Sequence, residues 1–379
     1  MLYRHWNTLS LRTSALGFGC MRFKTINGKV DEDLAISLLH QAYDRGINYF
    51  DTAYVYLDGQ SEGVLGRAMK DFNRSSFHIA TKYSLWNLTD PTEINQVIDR
   101  QLANLQTNYI DFYLMHAVNK TRLQTMIDLG LMDVIKKWKD QGKIRYIGFS
   151  FHDDYSTFKQ VLDLFPWDFC QIQFNYVDKD IQQGLQGYHD LVDRHIPIIV
   201  MEPLKGGSLA HFNETIEESF KTKNNDSMVK WAFRWVSSLP GVMVALSGMN
   251  ERAQLEENLD IYDHFEEMTN DDYQFVEKMA AKFKELEVVG CTKCGYCMPC
   301  PFGVQIPNNF SIINDHMMYK NDSSAEWSYG FLESKKGDAS VCVACGACLT
   351  KCPQKIDIPN RLIDVQDLMK VIRTHDRRR

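Results

Sequence analysis

No stretch of this 379-residue chain approaches the roughly 18 uninterrupted apolar residues of a transmembrane helix, which argues against a membrane span. No hydrophobic leader follows Met1-Leu2-Tyr3-Arg4, so nothing argues for an oxidising compartment. The ten cysteines are therefore expected as reduced thiols in the cytoplasm rather than as disulfides. Positive charge is also short: 42 Lys and Arg against 49 Asp and Glu leave a net charge of −7, which disfavours nucleic acid as the main partner. The basic end, residues 371–379, reads as a solvated tail. Finally, no Gly-x-Gly-x-x-Gly opens a first helix. The nearest text, Gly17-Phe-Gly19, runs into Cys-Met-Arg, so an open dinucleotide-binding sheet lacks its phosphate loop.

What the chain does have is cysteine in a pattern. Eight of the ten fall in two runs near the end, Cys291-x2-Cys294-x2-Cys297-x2-Cys300 and Cys342-x2-Cys345-x2-Cys348-x3-Cys352, each closed by proline. Two-residue gaps let successive thiolates converge on one metal centre. A fourth Cys followed by Pro is the bacterial ferredoxin run, whose last Cys ligates the other cluster. Two 4Fe-4S clusters are the expectation. Structural zinc is the rival reading, but it leaves the third and fourth Cys and the proline unexplained. The runs repeat internally, Cys300-Pro-Phe-Gly-Val-Gln-Ile-Pro307 matching Cys352-Pro-Gln-Lys-Ile-Asp-Ile-Pro359, and so resemble the halves of a two-cluster ferredoxin. They depart from it in a short gap before Cys300 and in a long insert, 302–341, with a helix-like stretch over 309–318. Crossed ligation would put Cys291, Cys294, Cys297 and Cys352 on one cluster and Cys342, Cys345, Cys348 and Cys300 on the other. The short gap leaves that partition open.

The first 290 residues alternate strand and helix. Short β-branched runs predict strands over 15–19, 48–52, 78–82, 110–116, 143–150, 169–174, 196–202 and 242–247, with helical patterns such as 33–45, 92–105 and 126–141 between them. Eight such units in about 250 residues suit an α/β fold, a closed (β/α)8 TIM barrel. A hairpin over 1–14 would cap the barrel bottom. The domains expected are 1–287, the barrel; 288–370, a small helix-rich ferredoxin-like domain; and 371–379, the tail.

Functional groups of such a barrel sit at the C-terminal strand ends. Those positions hold Asp51, Lys82 and His116, with Tyr56 in the loop after Asp51. Together they suit protonation of a carbonyl oxygen that receives a hydride. A free tyrosine titrates near pH 10, and an adjacent ammonium is expected to lower that value. Asp51 would hold Lys82, and His116 would hydrogen-bond the substrate oxygen. Leu16-Gly-Phe-Gly19, Asn48-Tyr-Phe-Asp-Thr-Ala53, Glu62-Gly-Val-Leu-Gly66, Ala80-Thr-Lys82, Asp111-Phe-Tyr-Leu-Met-His116 and Ile147-Gly-Phe-Ser150 make the chain resemble the aldo/keto reductases over most of residues 1–265. Their subgroup with a C-terminal ferredoxin-like domain resembles the whole chain. The resemblance implies a nicotinamide-dependent reductase of small aldehydes or ketones with the tetrad Asp51, Tyr56, Lys82 and His116.

It also implies cofactor contacts. Ser150 and Gln171 match residues on the nicotinamide carboxamide, although the family's neighbouring Asn is Phe151 and its stacking aromatic falls near Met201. The loop holding Gly206, Gly207, Ser208 and Leu209 resembles the one over the pyrophosphate. Aligned on Glu257 and Asn258, the cations of NADP-preferring members fall on Gly248 and Gln254, with Arg252 nearby, which leans the cofactor from NADP(H) towards NAD(H). Trp86 and Tyr83 are candidate pocket aromatics, and His152 fits the site and the surface equally. Cys20 and Cys170 are read as buried thiols without a role.

Hydride carries two electrons and each cluster one. Three readings stay open: a carbonyl reductase linked to a ferredoxin-like or flavin carrier, a reductase whose clusters are only structural, and an electron-transfer or redox-sensing protein with an inactive barrel. No flavin signature is visible. Substrate and oligomeric state are not written in the sequence.

Overall fold

The computed structural model describes residues 1–85, 94–212, 214–285, 288–291, 297–352 and 355–376. Strands β1 (Tyr3–Trp6) and β2 (Leu11–Ser14) form an antiparallel hairpin ahead of β3 (Leu16–Gly19), and β4 (Thr25–Ile26) pairs with β5 (Lys29–Val30) in the following loop. β3 then joins β6 (Tyr49–Asp51), β7 (His78–Tyr83), β8 (Ile110–Val118), β9 (Ile144–Phe151), β10 (Phe169–Gln173), β11 (Ile198–Met201) and β12 (Val242–Ser247) in a closed parallel barrel. Each strand pairs with its sequence neighbour, and β12 returns to β3. This is the (β/α)8 barrel expected from the alternation. Among the described residues, no helix is long and apolar enough to cross a membrane.

The hairpin plugs the barrel. Trp6 is buried against Phe112 and Phe169, with ring centroids 5.1 and 6.5 Å away, and Tyr49, Ile199 and Val244 complete the cluster. Its indole N–H donates to Thr13 Oγ1 at 2.8 Å, so the polar end of the ring is satisfied as burial requires.

Strand alternation decides which side chains reach the interior. On β7, Lys82 points in while Thr81 bonds Glu62 at 2.6 Å and Tyr83 packs on Trp138, 6.1 Å between rings, of helix Leu131–Asp140. Tyr83 therefore lies on the outer side of the strand and not in the substrate pocket. Trp86 lies outside the described residues.

The helix expected over 126–141 is two, Lys120–Asp128 and Leu131–Asp140. Gly130 between them takes φ +56°, a left-handed conformation that ends the first helix. Residues 371–376, read as tail, continue the last helix, Ile358–Asp376. Arg373 is held there by Glu333, at 2.8 and 2.9 Å, and by Glu326, at 2.9 Å.

The chain divides into two compact units, residues 1–205 with 229–273 and residues 206–228 with 274–379. The first holds the barrel strands. In the second, Phe212 stacks on Phe283 at 4.7 Å, and helices Ile306–Tyr319, Asp322–Ser334 and Ile358–Asp376 share a core that includes Phe310, Leu332, Leu362 and Val365.

Asp111, buried on β8, ties three strands together. It accepts from Arg74 Nη2 at 2.6 Å, Arg145 Nη1 at 3.0 Å and the Ile79 N–H at 3.0 Å, and His78 Nδ1 lies 3.5 Å away. Burial pushes its carboxyl up, but His78, Arg74 and the Ile79 N–H outweigh that and hold it below the usual value. A depressed carboxyl stabilises the fold above its unfolded pKa and loses that contribution as pH falls through the folded value. Asp111→Asn should therefore destabilise the protein by about 1–3 kcal/mol at neutral pH. In thermal melts, the gap between variant and wild type should close as pH falls below the ordinary aspartate pKa. A gap independent of pH would contradict this.

Candidate functional site

Three consecutive strands deliver the charged centre. Asp51 ends β6, Lys82 sits on β7 and His116 on β8, all buried. Lys82 Nζ donates to Asp51 Oδ1 at 2.6 Å and to the Thr52 carbonyl at 2.7 Å. Its ammonium lies 4.8 Å from the Tyr56 ring centroid, and Tyr56 meets His116 edge to face at 5.7 Å. The structure thus brings Asp51, Tyr56, Lys82 and His116 into one group.

Burial alone would lower the Lys82 pKa, but Asp51 and Tyr56 more than offset it, so the ammonium stays charged. Tyr56 departs from expectation. Burial raises its pKa by more than Lys82 lowers it, and the phenol titrates above its usual value. The expected downward shift overlooked desolvation, which a sequence cannot display. The resting consequence is a phenol that holds its proton. His116 moves the other way: burial, then the charge of Lys82, hold it well below 6.5, so the imidazole is neutral at physiological pH.

Ser84 Oγ lies 2.7 Å from His116 Nδ1. A serine hydroxyl donating there leaves the ring proton on Nε2. The sequence reading missed this residue, although its position two beyond Lys82 puts it on the same side of the chain. Directly after His116, β8 slips register against β9, and Ala117 takes φ +48°. Such bulges re-aim side chains beside active sites. The Ala117 N–H donates to Ser150 Oγ at 2.7 Å, so Ser150 braces the bulge. Behind Lys82, Glu62 accepts from Thr81 Oγ1, Gln101 and Asn104, and Gln101 also bonds the Lys82 carbonyl at 3.1 Å. Buried Cys20 lies close enough for Asp51 and Lys82 to act on its thiol.

The described residues suit a nicotinamide. Gln171 is buried, and among the described residues its Oε1 has no partner while its Nε2 makes only a 3.8 Å contact to Met201 Sδ. A buried acceptor without a donor fits a carboxamide NH2. Phe151 instead packs on Phe158, 4.9 Å between rings, away from any cofactor role. Asn258 is buried and donates to Ser247 Oγ at 3.0 Å, whereas Glu257 is exposed. Gln254 accepts from the Asn250 N–H at 3.0 Å, and Arg252 bonds Ser37 Oγ at 3.0 Å. Arg22 packs over Gly248, where a Cβ would stand 3.1 to 3.2 Å from its side chain. His152 is near enough to His116 to act on its charge. The loop of Gly206, Gly207, Ser208 and Leu209 belongs to the second unit. Gly206 and Gly207 take φ +66° and +100°, and no atom of the described residues lies within 4 Å of a Cβ added at Gly207, so that backbone is open to close approach.

In the second unit, Cys297, Cys300, Cys342, Cys345 and Cys348 line one cavity together with Phe302, Val343 and Lys351. Burial raises the Cys348 thiol, and Cys342, Cys300 and Cys345 are close enough to raise it further. Cys300 of the first run therefore sits with three cysteines of the second. Ala344 at φ +51° and Gly346 at +77° curl the second run around that space. Cys291 and Cys352 pack against the helical core, and Cys294 lies outside the described residues. Among the described residues no three His, Cys, Asp or Glu side chains group as a single metal ion would need. Thiols set around a cavity suit a polynuclear iron–sulfur group.

The aldo/keto reductase family model matches residues 15–281, and a 4Fe-4S dicluster domain model matches residues 290–356. A probable aldo-keto reductase of Glycine max is 29% identical over 188 residues, 47% of this chain and 53% of its own length. The aldo-keto reductase YhdN of Bacillus subtilis is 27% identical over 287 residues, 65% of this chain and 84% of its own. An aldo-keto reductase from Klebsiella pneumoniae, solved with NADPH, superposes with a TM-score of 0.60 at 20% identity, covering 74% of this chain and 96% of its own. With the barrel closed, the tetrad assembled and the cysteines gathered behind it in sequence, the chain belongs to the aldo/keto reductase family and is an oxidoreductase with a C-terminal 4Fe-4S domain.

Proposed function

We propose that the protein reduces an aldehyde or ketone with NAD(H) or NADP(H) at Tyr56, and that its cysteine-rich domain holds two 4Fe-4S clusters serving a separate one-electron carrier. The observation that carries the first half is the buried Lys82–Asp51 pair set against Tyr56, with a neutral His116 edge-on to the same ring. Bound reduced nicotinamide supplies a hydride to the carbonyl carbon. Tyr56 gives its phenolic proton to the carbonyl oxygen, and hydride plus proton make the alcohol. Lys82 stabilises the phenolate left behind, and Asp51 keeps Lys82 charged. His116 donates from Nε2 to the carbonyl oxygen, and Gln171 Oε1 takes a hydrogen bond from the carboxamide. Neither Gly248 nor Gln254 offers a cation to a 2′-phosphate, whereas Arg22 lies over Gly248, so both coenzymes are retained. Such clusters also suit the reducing interior of the cell.

The sign of the pH dependence follows. Reduction needs the protonated phenol, so activity is present below the Tyr56 pKa and lost as pH rises through it. The upward shift moves that limb above pH 10. Neutral His116 contributes no break near pH 6.5. Tyr56→Phe should lower kcat by about 10²–10⁴-fold with coenzyme affinity retained. Full activity in the variant across an aldehyde and ketone panel, with either coenzyme, would end the catalytic reading.

The cavity supports Cys300 as a ligand of the cluster held by Cys342, Cys345 and Cys348, and crossed ligation would leave Cys291, Cys294, Cys297 and Cys352 for the other, although Cys297 lines the same cavity. Cys300→Ala should lower the iron content of anaerobically reconstituted protein to about half and leave one cluster EPR signal. If the signal that disappears is instead the one also lost in Cys291→Ala, each run holds its own cluster.

A further inference from the structure

Around the cysteine-lined cavity, apolar and cationic groups are exposed together. Cys345 is itself exposed, whereas Cys297, Cys300, Cys342 and Cys348 are half-buried. Phe302 and Val343, which line the same cavity, are 47% and 57% exposed. The surface continues along the chain. Gly303 abuts the Lys336 carbonyl, Lys335 Nζ lies 4.5 Å from the Phe331 ring, and Phe331 stacks with Trp327, which is 74% exposed. Large aromatics left this open mark contact sites more often than they mark ordinary surface.

The exposed charge is mainly positive, with Asp357, which accepts from Asn360, the one exposed carboxylate of residues 335–357. Residues 335–357 carry Lys335, Lys336, Lys351 and Lys355 against Asp338 and Asp357, in a chain of net charge −7. Asp338 is buried, and accepts from the Ser340 N–H. Glu326 and Glu333, on the helix that bears Trp327, are engaged by Arg373. The four lysines are exposed. An apolar centre with a cationic rim at the exposed edge of a redox site fits a partner whose own redox edge is apolar and rimmed with carboxylates. Complementary charge speeds encounter and orients it, while a small apolar contact keeps it short-lived.

We propose that this surface, centred on Phe302, Val343 and Cys345 and rimmed by Lys336, Lys351 and Lys355, docks an acidic one-electron carrier protein. In each encounter the reduced carrier would give up one electron and be oxidised, the group held by Cys300, Cys342, Cys345 and Cys348 would be reduced by that electron, and no atom is transferred. The inference rests on the reading of the domain as a holder of 4Fe-4S clusters.

The test uses full-length, anaerobically reconstituted protein and an acidic FMN-loaded flavodoxin as probe, with the Kd measured at low and high salt. Wild type should bind, and its affinity should fall at least tenfold as the salt is raised. Lys336→Glu with Lys355→Glu should weaken binding at least tenfold at low salt, and Trp327→Ala less, with iron–sulfur absorbance and EPR unchanged in both. Equal affinity of the charge-reversed protein, or binding indifferent to salt, would overturn the proposal while intact clusters leave the cluster reading standing. Absence of cluster signals from wild-type protein would instead fail that reading and the proposal with it. Self-association of the wild type, abolished by the same substitutions, would assign the surface to a second copy and overturn the carrier.

Discussion

A single buried charge organises the barrel's chemistry. Lys82 is withdrawn from water, and an ammonium left unpaired in such a place costs about 3–5 kcal/mol. Asp51 at 2.6 Å, the last residue of the neighbouring strand, and the carbonyl of Thr52 just after it, at 2.7 Å, offset that cost. The rest of the site answers to the same charge. It adds to the burial that already holds His116 neutral. It also pulls the Tyr56 phenol down against the burial that raises it. Removal of the ammonium would leave the Tyr56 phenol still higher, with burial alone opposing a charge on His116 less strongly than the pair does together.

The framework around Lys82 is built to keep it still. Gln101 bonds its carbonyl, Glu62 collects Thr81, Gln101 and Asn104 behind it, and Asp111 ties β7, β8 and β9 together through Ile79 and Arg145. On the next strand, the bulge at Ala117 and the hydroxyl of Ser150 fix where His116 points. Rigid support of this kind is how a barrel converts four ordinary side chains into a preorganised group.

Much of this was legible in the sequence because the information is local. The β-branched runs give the strands, and the motif spacing places Asp51, Lys82 and His116 at neighbouring strand ends with Tyr56 in the loop after Asp51. The cysteine spacing likewise announces an iron–sulfur domain. What was not legible depends on packing. The break at Gly130 looks like any helix residue until its φ is known, and Tyr83 is pocket or outer layer only once the strand's facing is known. The direction of the Tyr56 shift turns on how much desolvation the loop imposes, and Arg22 over Gly248 is a contact between opposite ends of the barrel sequence. Arg373 was read as tail because its partners, Glu326 and Glu333, lie some 40 residues away.

The central claim is that Asp51 keeps the Lys82 ammonium charged inside the barrel. Its most direct measurement is a carbon-13 NMR titration of Lys82, assigned by loss of its signal in Lys82→Met, in wild type and in Asp51→Asn. The account predicts that wild-type Lys82 holds its proton beyond pH 10.5 and that Asp51→Asn releases it at lower pH. A wild-type Lys82 already neutral at pH 8, or a titration unmoved by Asp51→Asn, would contradict it.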